Sequence, residues 1–129
     1  RVLLDGEKHS VAEMSETELI PNQFAYQILR KLSAGNLVQV SRGALGGCAL
    51  SCDLDATSLY DLMGVMGERG VLCACMEPGY ECRWQDEHGR CAIHCQLTAL
   101  QRKQDEAFRA VSLRRLLTGG SDPQDTSEL

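Results

Sequence analysis

The tightest constraint on the fold is an order of segments between Ser10 and Ser51: helix, helix, then two short apolar strands about a glycine-rich turn. Ser10 is placed to cap a helix running through Leu19, and Glu13, three residues on, completes a capping-box pattern. Val11, Met14 and Leu19 supply its apolar side. Pro21 suits the first turn of the next helix. There Phe24, Ile28 and Leu32 recur at i, i+4 and i+8 and predict a buried stripe, with Gln23, Gln27, Arg30 and Lys31 on other faces. Ala34-Gly35-Asn36 ends that helix with residues that tolerate left-handed backbone. Leu37 to Val40 reads as a strand, Arg42 to Gly47 as the turn, and Cys48 to Ser51 as the returning strand of a β-hairpin. Two short helices followed by a hairpin make the winged helix-turn-helix order.

The flanks extend this unit. Arg1 to Leu4 reads as the end of a helix stopped near Asp5-Gly6, and a start at Arg1 in place of Met leads us to expect that an N-terminal segment is missing. A helix fits Ser58 to Met66, with Leu59, Leu62, Met63 and Met66 apolar. Val71 to Arg90 reads as a loop rich in Cys, Gly and charge. A longer helix fits Cys91 to Ala110, with Ile93, Leu97, Leu100, Ala107 and Val111 on one side, and Ser112 to Leu117 forms a last short helix. The expected class is mainly α with a small β-hairpin, a winged helix-turn-helix plus a long dimerisation helix. The expected units are 1–70 for DNA binding, with the first helix largely missing, 71–92 for a cysteine-rich loop, 91–118 for dimerisation and a terminal short helix, and 119–129 for a disordered tail. No apolar run approaches the ~20 residues of a membrane span, no internal repeat is visible, and a cytoplasmic protein is expected.

A net charge of −5 argues at face value against nucleic acid, but the distribution argues for it. From Ile20 to Gly47 there is no Asp or Glu, while Arg30, Lys31 and Arg42 are present. A locally basic face on an acidic protein is a workable phosphate-binding surface. Within it, Gln23 and Gln27 are of the type that pairs bidentately with adenine edges. Arg30 suits guanine or phosphate, Tyr26 a base or sugar, and Arg42 the minor groove. For each of these the plainer alternative is a solvated helix face, and for Lys31 that alternative or a phosphate contact is favoured.

The seven cysteines are Cys48, Cys52, Cys73, Cys75, Cys82, Cys91 and Cys95. A secreted disulfide framework competes with a reduced chain carrying metal ligands. The odd count favours the second, as does the crowding of five of the seven between 73 and 95. Thiolates suit zinc and iron–sulfur centres, and the paired knuckles that zinc ribbons prefer are absent. Three widely spaced cysteines in one loop suit a cluster that the loop wraps. Cys48 and Cys52, on one strand, would stand ~13 Å apart at ~3.3 Å per residue, too far to pair, and read as wing or core residues.

The residues resemble the Rrf2 family of bacterial winged-helix regulators, which includes iron–sulfur cluster regulators and nitric-oxide-sensing repressors. Ser10-Val11-Ala12-Glu13-Met14 resembles its second helix. Ile20-Pro21, Phe24, Ile28-Leu29, Lys31-Leu32 and Gly35-Asn36-Leu37-Val38 resemble its recognition helix and first wing strand. Arg42-Gly43 with Gly46-Gly47 resembles the wing, Ser58-Leu59 with Asp61-Leu62 the next helix, and Ser112 to Leu117 the closing segment. The likeness covers nearly everything from Arg1 to Leu117. The chain departs from the family at Ala44-Leu45, where Pro-Gly is usual, at Cys48, where an aromatic is frequent, and at Tyr26, where a base-reading Glu occurs.

The resemblance implies an iron–sulfur cluster, 2Fe–2S or 4Fe–4S, on Cys75, Cys82 and Cys91, with His94, Cys95 or Cys73 as the fourth ligand. It also implies a homodimer that places two recognition helices on a pseudo-palindromic double-stranded operator about one DNA turn apart. DNA binding would then respond to redox state, iron or nitric oxide. The second spacing between ligands is longer than the family's usual one and keeps a cluster-free thiol or zinc regulator, acting through protein partners, as the alternative. An iron–sulfur electron-transfer protein is the third reading. No paired carboxylates or nucleophile–base motif suggest an enzyme.

Overall fold

The computed structural model describes residues 1–43 and 46–120. A 3-10 turn over Val2–Asp5 leads to α1 (Val11–Glu18) and α2 (Asn22–Ala34). The hairpin follows as β1 (Val38–Ser41) and β2 (Gly47–Leu50), then α3 (Leu59–Met66). A 3-10 turn at Ala74–Met76, α4 (Arg83–His88), α5 (Ala92–Arg109) and α6 (Leu113–Thr118) complete the elements among the described residues. The fold is mainly α with one two-stranded antiparallel sheet, a winged helix-turn-helix followed by a long helix. The wing positions Ala44 and Leu45, and 121–129 of the expected tail, lie outside the described residues.

Local chemistry explains most boundaries. Ser10 Oγ accepts from the Glu13 N–H at 3.1 Å and starts α1. The reciprocal half of the expected box is replaced, because the Glu13 carboxylate turns to His9. At α3 both halves form: Asp61 N–H donates to Ser58 Oγ at 3.1 Å, and Ser58 N–H to Asp61 Oδ2 at 2.9 Å. Ser112 caps α6 through one half alone, its Oγ accepting from the Arg115 N–H at 3.1 Å. The two capped starts lie back to back, since Leu59 N–H donates to the Val111 carbonyl and Leu113 N–H to the Thr57 carbonyl, each at 2.8 Å. That bridge brings α6 back onto the winged unit, where Leu113, Leu116 and Leu117 line an apolar cavity of about 180 Å³ with Leu3, Leu37 and Leu54.

The core lies between the first 3-10 turn, α1, α2 and the hairpin. Leu3, Met14, Leu29, Val38 and Cys48 form its buried cluster. The hairpin pairs Val38 with Leu50 and Val40 with Cys48, and Cys48, bridged on its other edge by His9, is only 1% exposed. Burial pushes its thiol pKa up, as a core cysteine requires. The stripe on α2 differs from the expected one. Ala25 and Leu29 are the buried residues, Ile28 and Leu32 are half-buried, and Phe24 is 51% exposed. The segment 71–90, expected as a loop, also contains α4.

Candidate nucleic-acid interface and cysteine cluster

On α2, Gln23, Tyr26, Gln27 and Arg30 stand at i, i+3, i+4 and i+7, within an arc of about 100° opposite Ala25 and Leu29. All four are exposed, Tyr26 at 58%. The helix is held to the core by its small and aliphatic side, so its polar side is left to solvent along its length. Beside it the wing carries Arg42, also exposed. Between helix and wing runs an open groove of about 840 Å³, lined by Tyr26, Arg30 and Arg42. The structure thus brings Tyr26, Arg30 and Arg42 into one concavity, with Gln23 and Gln27 on the same helix face. Lys31 is used otherwise: its Nζ donates to the Met66 carbonyl at 3.4 Å, at the C-terminal end of α3.

Sequence reasoning missed the hydroxyls of this groove. Ser10, Ser33 and Ser41 line it beside the two arginines. Each comes from a different element, so only the fold assembles them, and no spacing in the chain signals it. Hydroxyls and guanidiniums are the donors that hold phosphate oxygens.

The cysteine segment is fastened to α5. Leu72 N–H donates to Gln101 Oε1 at 2.8 Å. Cys75 Sγ lies 3.3 Å from His94 Nδ1 and 3.4 Å from Cys73 Sγ, to which it donates. The Cys75 backbone N–H, and then its thiol, hold the Cys73 pKa below the ordinary thiol range, and the same contact raises Cys75. Cys91 is the N-cap of α5, its Sγ accepting from the His94 N–H at 3.4 Å. Cys95 Sγ accepts from Arg90 Nε at 3.2 Å. Cys82 precedes α4 as its N-cap, without a side-chain capping bond, and is near enough for its charge to act on Cys75.

Of the sequence-predicted ligands, Cys73, Cys75 and His94 therefore converge through side chains. Cys91 joins them through the backbone of His94. Among the described residues no hydrogen bond ties the Cys82 or Cys95 side chain to that group. Among the described residues no three His, Cys, Asp or Glu side chains stand ready around a single metal ion. The donor chemistry still fits an iron–sulfur centre: five thiols and two imidazoles, those of His88 and His94, fall between 73 and 95, and all five thiols are free and partly accessible. Gln101 was not foreseen as the fastening of this segment; a polar side chain on the inward face of a long helix is the signal that could have found it.

A family model described as Rrf2, iron-dependent transcriptional regulator, matches residues 2–119. A protein of Aquifex aeolicus (strain VF5) described as an HTH-type transcriptional regulator is 21% identical over 107 residues, 83% of this chain and 74% of that protein. Among solved structures, T. potens IscR superposes with a TM-score of 0.63 at 16% identity, covering 95% of this chain and 77% of that one. CymR, described as the global cysteine regulator of B. subtilis, superposes with a TM-score of 0.60 at 18% identity, over 88% of this chain and 81% of that one. At these identities the structural likeness bears on the fold alone. No helix among the described residues is long and apolar enough to cross a membrane.

Proposed function

Because this chain belongs to the Rrf2 family of transcriptional regulators, we propose that it is a cytoplasmic, homodimeric, sequence-specific DNA-binding regulator controlled by an iron–sulfur cluster. The observation that carries the DNA reading is the acid-free polar face of α2 beside an arginine-bearing wing. On this reading Gln23, Tyr26 and Gln27 read bases, Arg30 takes guanine or phosphate, and Arg42 enters the minor groove. The operator is a pseudo-palindrome matched to the two-fold of the dimer. The chain acts on no substrate as an enzyme.

The cluster reading rests on the donor set and on its attachment. Cys75, Cys82 and Cys91 are the proposed ligands, with His94, Cys95 or Cys73 as the fourth. When bound, such a cluster supplies a centre whose integrity depends on iron, oxidants or nitric oxide. The chain's part is to transmit that state. Cys91 caps α5, His94 lies on its first turn, and Gln101 ties Leu72 to its middle, so any ordering of the segment 71–91 is felt by α5.

A second reading has its own support. The Cys75 and Cys73 sulfurs are 3.4 Å apart, and one structural relative is described as a cysteine regulator. A thiol pair without metal would serve the same segment. An anaerobic absorption spectrum of freshly purified protein, with iron and sulfide assays on the same sample, separates the two. Visible bands with matching iron and sulfide support the cluster. A colourless protein that also resists reconstitution moves the reading to the thiol pair. For coupling, the Cys82→Ala variant is expected to lose the redox dependence of DNA binding, and unchanged binding under oxidised and reduced conditions would sink the switch.

A further inference from the structure

Of the three histidines, His9 alone has a carboxylate on each ring nitrogen. Its Nε2 is 2.7 Å from Asp5 Oδ2 and its Nδ1 is 3.0 Å from Glu13 Oε1, and the side chain is only 15% exposed. Its backbone meets the wing: His9 N–H donates to the Cys48 carbonyl at 2.9 Å, and Cys48 N–H to the His9 carbonyl at 2.8 Å. One residue therefore joins the 3-10 turn through Asp5, α1 through Glu13, and β2 through Cys48. The next residue, Ser10, caps α1 and lines the groove between α2 and the wing.

Hydrogen-bond inventory decides what this arrangement requires. A neutral imidazole has one N–H and one lone pair, whereas an ionised carboxylate only accepts. Two carboxylates on one ring are both satisfied only by imidazolium. With the ring neutral, one carboxylate faces a lone pair, and the two acids lose their counter-charge.

We propose that His9 is a proton-operated brace between the first reading-head helix and the wing, so that DNA binding tightens when His9 is protonated and weakens when it is not. This rests on the DNA-binding reading given above. Among the described residues, the charged groups that act on the ring are Glu13 from α1 and Asp5 from the 3-10 turn. From β2 the contact is the backbone of Cys48, whose buried thiol is held neutral. The hydrogen bonds to Glu13 first, then to Asp5, raise the His9 pKa above its ordinary 6.5. Asp5 is lowered in turn, mainly by the Glu7 N–H and then by His9. The sign follows from a raised folded-state pKa: the brace contributes fully below 6.5 and is lost as pH rises through the raised value.

The test uses the whole chain, with its His9→Gln and Glu13→Gln variants, from about pH 6 to about pH 8.5. Three quantities are followed: the His9 ring by NMR, Tm by circular dichroism, and affinity for an end-labelled random-sequence duplex of about 30 base pairs at fixed low salt. The wild-type ring is expected to titrate above 6.5, with Tm and duplex affinity falling together across that titration, affinity by several-fold. Glu13→Gln is expected to move the ring titration to lower pH, and His9→Gln to flatten the affinity profile to within about twofold. An identical affinity profile for wild type and His9→Gln overturns the proposal, as does a ring that titrates at or below 6.5. Absence of duplex binding at every pH overturns the regulator reading and this proposal with it. That outcome is distinguishable from failure of the brace alone, because ring titration and Tm are read without DNA.

Discussion

Gly35 ends α2 with an ordinary backbone, φ −87°, so conformational freedom is not the reason for a glycine there. Space is the reason. A Cβ built at Gly35 would stand 2.6 Å from Val65 Cγ2 and 2.7 Å from Cγ1, where the end of α2 meets α3. The branched valine has no long flexible tail to swing aside, and α3 is pinned at its start by the Ser58 capping box. Gly35→Ala would gain about 0.4–1 kcal/mol by restricting the unfolded chain. Overpacking costs about 1–3 kcal/mol and outweighs that gain. Gly35→Ala is therefore expected to lower the urea midpoint at unchanged m-value. Combined with Val65→Ala, the loss should be smaller than the sum of the two single losses, because the second substitution opens the space the first one needs. Simple additivity would mean that Val65 is not the obstacle.

At the scale of elements, α2 divides its faces between core and solvent, and the division predicts how substitutions separate. Gln27→Ala is expected to cost about 1–3 kcal/mol at one position of a selected operator and to relax preference there. Arg42→Ala should weaken binding to all sequences and reduce the salt slope by about one phosphate contact. Lys31→Ala should leave that slope unchanged, since Lys31 is engaged with the Met66 carbonyl. Competition binding against operator variants at several salt concentrations reads all three, and a Lys31→Ala slope matching that of Arg42→Ala would contradict the assignment. The same helix shows how far sequence reasoning reaches. Its limits and its polar face are legible, because Pro21, Gly35 and the run of polar residues at helical spacing are local signals. The buried stripe is misplaced towards Phe24, because periodicity weighs hydrophobicity, whereas close approach to the core selects the small Ala25. The missed helix α4 has no apolar stripe to detect. It is supported within itself, by Arg83 Nε on Glu87 at 3.0 Å and by the Trp84 ring stacked on His88 at 4.7 Å. Likewise the cysteine types and spacing can be read along the chain. Which thiols meet cannot, because the partner of Cys75 lies on α5, nineteen residues away.

Across the whole molecule, burial is uneven in a way that bears on assembly. Every fully buried residue among those described lies at or before Ser58, except Leu113, which α6 returns to the winged unit. The eighteen residues of α5 bury none completely. One side of α5 faces α3, where Tyr60 is flanked by the guanidiniums of Arg69 and Arg109 at 3.8 and 4.1 Å from its ring centre. On the other side Ile93 is 71% exposed, Leu100 is 52% exposed and Ala107 is exposed, each seven residues from the next. A repeat of seven keeps one face of a helix in register with a partner helix, and apolar residues at that spacing are ill-suited to water. Two copies joined along this face would fix the separation of two α2 helices, which a pseudo-palindromic operator requires. Ile93→Glu with Leu100→Glu is therefore expected to convert a dimer to a folded monomer, because neither side chain supports the monomer's own core. Sedimentation velocity should show the change in mass, and circular dichroism should show unchanged helix content. Operator affinity should fall steeply, since each monomer then binds one half-site without the help of the other. A wild-type chain that sediments as a monomer while binding a two-half-site operator would remove α5 from this role and leave the reading head standing on its own geometry.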